Sequence, residues 1–249
     1  MIAGFLCLDR SHVYKMYSIC ANIENGFFLL LRRKGFDFEK LFSNDFLKSL
    51  NLPYLVISPQ DIQELDGKID ILIFSDLFPN IEKIKKTFTV ILQESSVKDI
   101  SELGDLNYLF NLRLVYGPYS SQKIKKYGSF FEIGNPRYDN SFKNHLDEKR
   151  INNIKKRLDP KKKNLLYLPS LDNSSTFELF LKKIIELRSK YNILFKIQHY
   201  SIENNFLEIN KIYKNLKGIF HIGNNVDSLY DLADLVMCDF GDGIFDAIY

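Results

Sequence analysis

Three stretches in the second half of the sequence carry residue types suited to holding an anion or moving a proton: Pro169-Ser170, His199-Tyr200, and the run from Asp239 through Gly241, Asp242 and Gly243 to Asp246. In the last of these, the glycines let backbone approach a ligand closely. A helix opening near Gly243 would offer unpaired N–H groups and a positive dipole end to a phosphate. Asp239, Asp242 and Asp246 oppose an anion there unless a basic group or a metal offsets them, and Asp242 also suits the plainer role of capping that helix. His199 could act as a general base or as a donor to a diphosphate, because its side chain changes charge near neutrality; it could equally be an ordinary surface histidine. In the first half, His12 lies just past the first apolar run, where it could meet an acceptor group.

The elements that must position these residues follow from hydrophobic pattern. Short apolar runs alternate with segments of helical period, the signature of βαβ units around a mostly parallel sheet. Strands are expected at 2–8, 26–33, 53–58, 69–75, 87–93 and 112–116. Helices are expected at 11–23, with Ser11 as its cap, at 36–50, and, in short form, at 59–65. After a polar, Lys- and Asn-rich stretch from Asn140 to Lys163, interrupted by Pro160, the pattern restarts. There the expected order is strand 165–168, helix 176–190, strand 193–198, helix 203–215, strand 218–222, helix 226–232, strand 235–239 and a helix opening near Gly243. The reading is α/β, with two Rossmann-like domains at 1–150 and 151–249. Each candidate stretch then falls just past the carboxyl end of a strand, where open parallel sheets bind ligands. The sequence stops at Ile248-Tyr249, inside the final helix, so the second domain is expected to be incomplete.

Composition removes several classes. A content of 45% hydrophobic residues over 249 positions supports a buried core rather than disorder. With 34 basic against 31 acidic residues, the formal charge of +3 gives no ground for a nucleic-acid partner. No apolar run approaches the roughly 20 residues of a membrane-spanning helix, and the N-terminus lacks the basic start of a signal peptide, so a cytoplasmic location is expected. Cys7, Cys20 and Cys238 have neither even number nor metal-ligand spacing and read as buried thiols. No metal and no organic cofactor is expected. The run Lys161-Lys162-Lys163 could be a phosphate or membrane patch, but a solvated linker is the preferred reading.

Four segments in order resemble those of the CDP-glycerol glycerophosphotransferase family of wall- and capsule-polymer enzymes. Gly134-Asn135-Pro136-Arg137-Tyr138-Asp139 is similar to its Gly-Tyr-Pro-Arg-x-Asp segment, and Leu165 to Ser170 to its strand ending in Ala-Pro-Thr. Phe195 to Tyr200 resembles its Lys-x-His-Pro segment. Ala233-Asp234, Asp239-Phe240 and Phe245-Asp246 match its C-terminal signature, although Gly241 and Asp242 replace a pair of serines. The resemblance, which runs from about Leu112 onward, implies a glycosyltransferase-B fold. It also implies a nucleotide-activated donor, CDP-glycerol or a nucleotide sugar, bound by Pro169, Ser170, Asp239, Gly241, Asp242 and Gly243, with His199 near its diphosphate. The group transferred would be a glycerol phosphate, a related alditol phosphate or a sugar, passed to a polysaccharide or lipid-linked acceptor; a lipid-linked acceptor would bring the protein to the inner membrane face. The family's Trp-His-Gly-Thr segment, which carries its base, is matched in position by Leu92-Gln93-Glu94-Ser95-Ser96, leaving Glu94 as the candidate base. Two alternatives stand beside this reading. One is a UDP-sugar 2-epimerase-like enzyme, favoured by Gly134-Asn135-Pro136 and the Asp239–Gly243 loop but lacking a Gly-Thr-Arg-Pro-Glu-like loop. The other is a non-catalytic module that binds a nucleotide sugar.

Overall fold

A computed structural model describes residues 1–78, 80–96, 100–139, 151–169, 177–196, 219–220, 227–239 and 241–248. The chain divides into two compact units, Met1–Phe142 and Lys143–Tyr249. Among the described residues, no helix is long and apolar enough to cross a membrane.

The first unit is built on a parallel sheet of seven strands: β1 (Ile2–Cys7), β2 (Asn25–Leu31), β3 (Tyr54–Ile57), β4 (Ile71–Phe74), β5 (Phe88–Leu92), β6 (Leu112–Val115) and β7 (Phe130–Glu132). Their spatial order is β3-β2-β1-β4-β5-β6-β7, so the winding reverses between β1 and β4. The near-continuous apolar sequences of β1 and β2 fit a sheet covered on both faces. One face buries Phe5, Cys7, Phe28, Leu30 and Leu92 against Val13, Met16 and Cys20 of helix α1 (Arg10–Ala21) and against Phe42 and Phe46. The other face buries Leu6, Leu29, Leu31, Phe74 and Ile91 with Ile62 and Phe110. Each such large side chain contributes about 1.5–3 kcal/mol on burial.

Several local expectations are corrected. The cap of α1 is Asp9, not Ser11: its carboxylate accepts from the Ser11 N–H at 2.7 Å, and the Ser11 hydroxyl donates to the same oxygen. The expected helix over 36–50 breaks in two, Phe38–Leu41 capped by Asp37 and Asn44–Ser49 capped by Ser43, because each capping side chain draws N–H donors away from a continuous ladder. Strand β7 and helix Pro118–Ile124 were not expected at all; three residues of strand are too few to show alternation.

The second unit holds a parallel sheet of β8 (Lys163–Leu168), β9 (Tyr191–Phe195), β10 (Ile219–Phe220) and β11 (Leu235–Cys238), in the order β10-β9-β8-β11. Leu166 and Leu194 pack with Ile151, Ile154 and Leu229, and Tyr167 meets Phe195 edge to face at 5.6 Å. Here too the winding reverses, between β8 and β11. The Lys161–Lys163 run is not a loose linker: Lys163 is the first residue of β8, and the side chain of Asn192 holds the preceding turn through the Asp159 N–H, 3.0 Å, and C=O, 2.9 Å. The expected helix over 203–215 lies outside the described residues.

Helix α1 is seated on β2 through Gly26, where a Cβ would sit 2.6 Å from the Cys20 carbonyl oxygen. Backbone cannot yield there as a flexible side chain would. Gly26→Ala is therefore expected to lower stability by about 1–3 kcal/mol, read from the urea midpoint at unchanged m-value.

Candidate functional site

The register of the first sheet sets the ends of β1, β4 and β5 side by side: Phe5 pairs with Ile73, and Phe74 with Ile91. The segments Leu8–His12, Ser75-Asp76 and Gln93-Glu94 therefore leave the sheet along one edge, at the reversal of strand order, where a parallel sheet leaves a crevice. Sequence reasoning had picked His12 and Glu94 from this edge and missed Ser75 and Asp76. Their signal was available, since both follow a strand that must neighbour β1 in a doubly wound sheet.

His12 is fixed by the start of α1. Asp9 caps the helix and accepts the His12 N–H at 3.4 Å, Arg10 donates to the Leu41 and Lys40 carbonyls at 2.7 and 2.8 Å, and the His12 ring folds back toward the strand. There Nδ1 accepts the Leu8 N–H at 3.2 Å, so the neutral ring carries its proton on Nε2. His12 is 5% exposed, and that burial pushes its pKa down. Asp9 pulls the other way, Lys15 adds to the lowering, and Asp76 and Glu94 pull weakly upward, leaving the net shift downward. Near neutral pH His12 is thus an uncharged Nε2–H donor among three carboxylates.

Glu94 is half-buried in a segment whose neighbours Gln93 and Ser95 are 4% and 6% exposed. Its backbone carbonyl accepts from Lys15 Nζ at 2.5 Å and from Tyr116 Oη at 3.3 Å. Gln93 braces the turn, donating to the Ser95 carbonyl at 2.8 Å and accepting the Tyr116 N–H at 2.9 Å. Ser75, 2% exposed, has a hydroxyl with no hydrogen-bond partner among the described residues. A neutral donor, a half-buried carboxylate and an ammonium at one edge can receive a hydroxyl, orient it and take its proton.

In the second unit, Pro169 follows β8 and Asp239 follows β11, its paired neighbour at the reversal. The Asp239 N–H points to the Leu168 carbonyl at 3.5 Å, and a Cβ at Gly243 would lie 3.3 Å from the Leu168 side chain and 3.4 Å from Tyr230 Oη. The structure therefore brings Pro169, Asp239 and Gly243 to one edge, with Gly241 and Asp242 between the last two. Asp242 immediately precedes the helix Gly243–Asp246, but its backbone is already helical and its side chain makes no capping bond, which corrects the reading of it as a side-chain cap. Ser170 and His199 lie outside the described residues; Lys196, which follows β9, is 9% exposed, and its N–H donates to the Tyr167 carbonyl at 3.1 Å.

Of the three thiols, Cys238 is half-buried rather than buried. Cys7 and Cys20 are buried, and burial pushes Cys20 up to about 12 and Cys7 well above its ordinary value.

Two Rossmann-like parallel α/β units with these reversals define the fold class as that of glycosyltransferase-B proteins. No protein-family model and no curated protein matches the sequence. Among solved structures, a variant of the wall teichoic acid polymerase TagF soaked with CDPG matches with a TM-score of 0.63 at 13% identity over 99% of this chain. The match covers 66% of that polymerase chain, so the present chain spans just under two thirds of its length. UDP-GlcNAc 2-epimerase from Neisseria meningitidis bound to UDP-GlcNAc matches with a TM-score of 0.62 at 10% identity, over 96% of this chain and 77% of that one. HepE from Anabaena, in complex with UDP and glucose, gives 0.59 at 11% identity over 95% and 73%. These identities establish a shared fold.

The titration of His12 has a stability consequence. Its folded pKa lies below the ordinary value of 6.5, so the unfolded chain binds the proton more readily. This contribution is fully present above about pH 6.5 and is lost as pH falls from there through the folded pKa. His12→Asn, which keeps an acceptor for Leu8, is expected to flatten the fall in melting temperature between about pH 6.5 and 5. An unchanged slope would show that His12 titrates as an exposed histidine does.

Proposed function

We propose that the chain is a glycosyltransferase-B type transferase that moves a glycerol phosphate, a related alditol phosphate or a sugar from a nucleotide-diphosphate donor to a surface-polymer acceptor. The observation that carries this reading is the gathering of His12, Glu94, Asp76 and Lys15 at the strand-order reversal of the first sheet. The order of family-like segments and the fold shared with a polymerase soaked with CDPG support it further.

With a glycerol-phosphate donor, an acceptor hydroxyl oxygen forms a bond to the β-phosphorus of CDP-glycerol while the bond from that phosphorus to the bridging oxygen breaks. CMP departs with the electron pair, and the hydroxyl proton passes to Glu94. The His12 Nε2–H donates to the acceptor oxygen and orients it; the ring is not the base, because Nδ1 is committed to Leu8 and Nε2 already carries a proton. In the second unit, Pro169, Ser170, Asp239, Gly241, Asp242 and Gly243 hold the nucleotide, and His199 donates to the diphosphate. Gly241 and Asp242 in place of paired serines leave backbone N–H groups as the principal donors there. The protein works in the cytoplasm, at the inner membrane face when its acceptor is lipid-linked.

An epimerase is the second reading, because the fit to UDP-GlcNAc 2-epimerase, 0.62, is nearly that to the polymerase. Incubation with CDP-glycerol and with UDP-sugars separates the two. Release of CMP or UDP that depends on added acceptor supports transfer, whereas exchange of the sugar C2 proton with deuterated solvent and no nucleotide release supports epimerisation. Binding without either reaction leaves a nucleotide-sugar binding module.

If transfer occurs, Glu94→Gln should lower kcat by about 100-fold or more with little change in donor affinity. His199→Ala should weaken donor binding or turnover by at least tenfold, about 1.4 kcal/mol. Unaltered kinetics in either variant removes that residue from the site.

A further inference from the structure

The basic run that the sequence left as solvated chain lines a cleft of about 450 Å³ at the amino edge of the second sheet. Lys155, Lys161, Lys162 and Lys163 line it, with Asp159 and Asp234. Three features distinguish this from a loose charged surface.

Its framework is tied down. Asn192 Nδ2 donates to the carbonyls of Asp159 and Lys162, at 2.9 and 3.3 Å, and to Asn164 Oδ1 at 2.8 Å, while its Oδ1 accepts the Asp159 N–H at 3.0 Å. Asn164 in turn donates from Nδ2 to the Leu232 carbonyl at 2.8 Å. One asparagine thus fixes the backbone of the turn that carries Lys161 and Lys162, so that backbone has little freedom to lose when a ligand binds.

Each carboxylate accepts a backbone N–H of the cleft wall. Asp159 accepts the Lys161 N–H at 2.9 Å, and Asp234 accepts the Asn164 N–H at 2.7 Å. The Lys162 ammonium is held by the Arg188 carbonyl at 2.9 Å. The ammonium groups of Lys155, Lys161 and Lys163 form no ion pair among the described residues.

Charge is also concentrated here. Between Lys155 and Lys163 there are six cationic side chains against one acidic one, while the whole chain has a formal charge of only +3, so the rest of it is net negative. A fixed concavity lined by four lysines against two aspartates, on an otherwise slightly acidic chain, attracts an anion.

We propose that this cleft binds a phosphate-bearing polyanion, with Lys155, Lys161 and Lys163 as its ligands. One phosphate could be satisfied by one or two ammonium groups; three unpaired ones around a single concavity suit several phosphates on one chain or one surface. The cleft opens at the first residues of β8, roughly 20 Å along the strand from Pro169, so it is separate from the loops at the carboxyl edge. The phosphates come either from a soluble polymer or from lipid headgroups.

Full-length chain is titrated with inorganic polyphosphate and, in parallel, sedimented with phosphatidylcholine vesicles with and without phosphatidylglycerol. Lys155→Glu/Lys161→Glu/Lys163→Glu is compared with Lys83→Glu/Lys85→Glu/Lys86→Glu, an equal reversal at exposed lysines of the first unit. The cleft variant should lose about tenfold or more in affinity with a flatter salt dependence, and the control about twofold or less. If thermal melting shows the cleft variant unfolded, the glutamine triple is read instead, with a loss of about fivefold expected. Binding of polyphosphate alone names a soluble polymer as the source, and binding of phosphatidylglycerol vesicles alone names the membrane surface. Equal losses in cleft and control variants, or no binding of either probe by the unaltered chain at about 0.1 M salt, overturn the proposal.

Discussion

A parallel sheet covered on both faces presents its polar groups mainly at its ends, and that constraint governs the first unit above all. Leu29, Leu30 and Leu31 are fully buried, on alternating faces, and the charged side chain of Arg113, buried within β6, is accommodated because the Asn107 and Phe110 carbonyls accept its N–H groups. Where strand order reverses, the connections on either side depart in opposite directions and leave room between them. Each unit has one such reversal, β1 to β4 in the first and β8 to β11 in the second, and His12, Glu94 and Asp239 stand beside them.

At the first reversal, the chemistry comes from how the helix begins. Asp9 stops the backbone from continuing as strand, α1 starts, and His12 is set close enough for its Nδ1 to take the Leu8 N–H. A single backbone hydrogen bond fixes the tautomer, and burial holds the ring neutral. In the transfer proposed above, this sets a division of labour: the imidazole donates, and proton removal falls to a carboxylate. Lys15 and Tyr116 hold the backbone of Glu94, so its place depends on α1 and β6 as well as on its own strand.

Much of the fold was legible in the sequence because buried parallel strands are written as apolar runs; β1, β2, β5 and β11 fall within a residue or two of their expected bounds. Residues whose role depends on a side-chain hydrogen bond were less legible. Ser11 and Asp9 are both plausible caps, and only the φ/ψ of the turn decides between them. The break at Phe42-Ser43 depends on two competing caps, and the fixed turn before β8 depends on Asn192, nearly thirty residues away in sequence. His12 and Glu94 could be nominated from strand ends alone. Ser75 and Asp76 needed the knowledge that β4 lies beside β1, which is a fact of topology and not of local pattern.

Hydrogen–deuterium exchange of the full chain, with and without CDP or UDP, tests most directly whether the reversal of the second sheet is where a nucleotide sits. Slower exchange should appear in peptides that span the end of β8 with Pro169 and the end of β11 through Gly243. Protection confined to the amino edge around Lys161–Asn164, or none with either nucleotide at saturating concentration, would contradict the account.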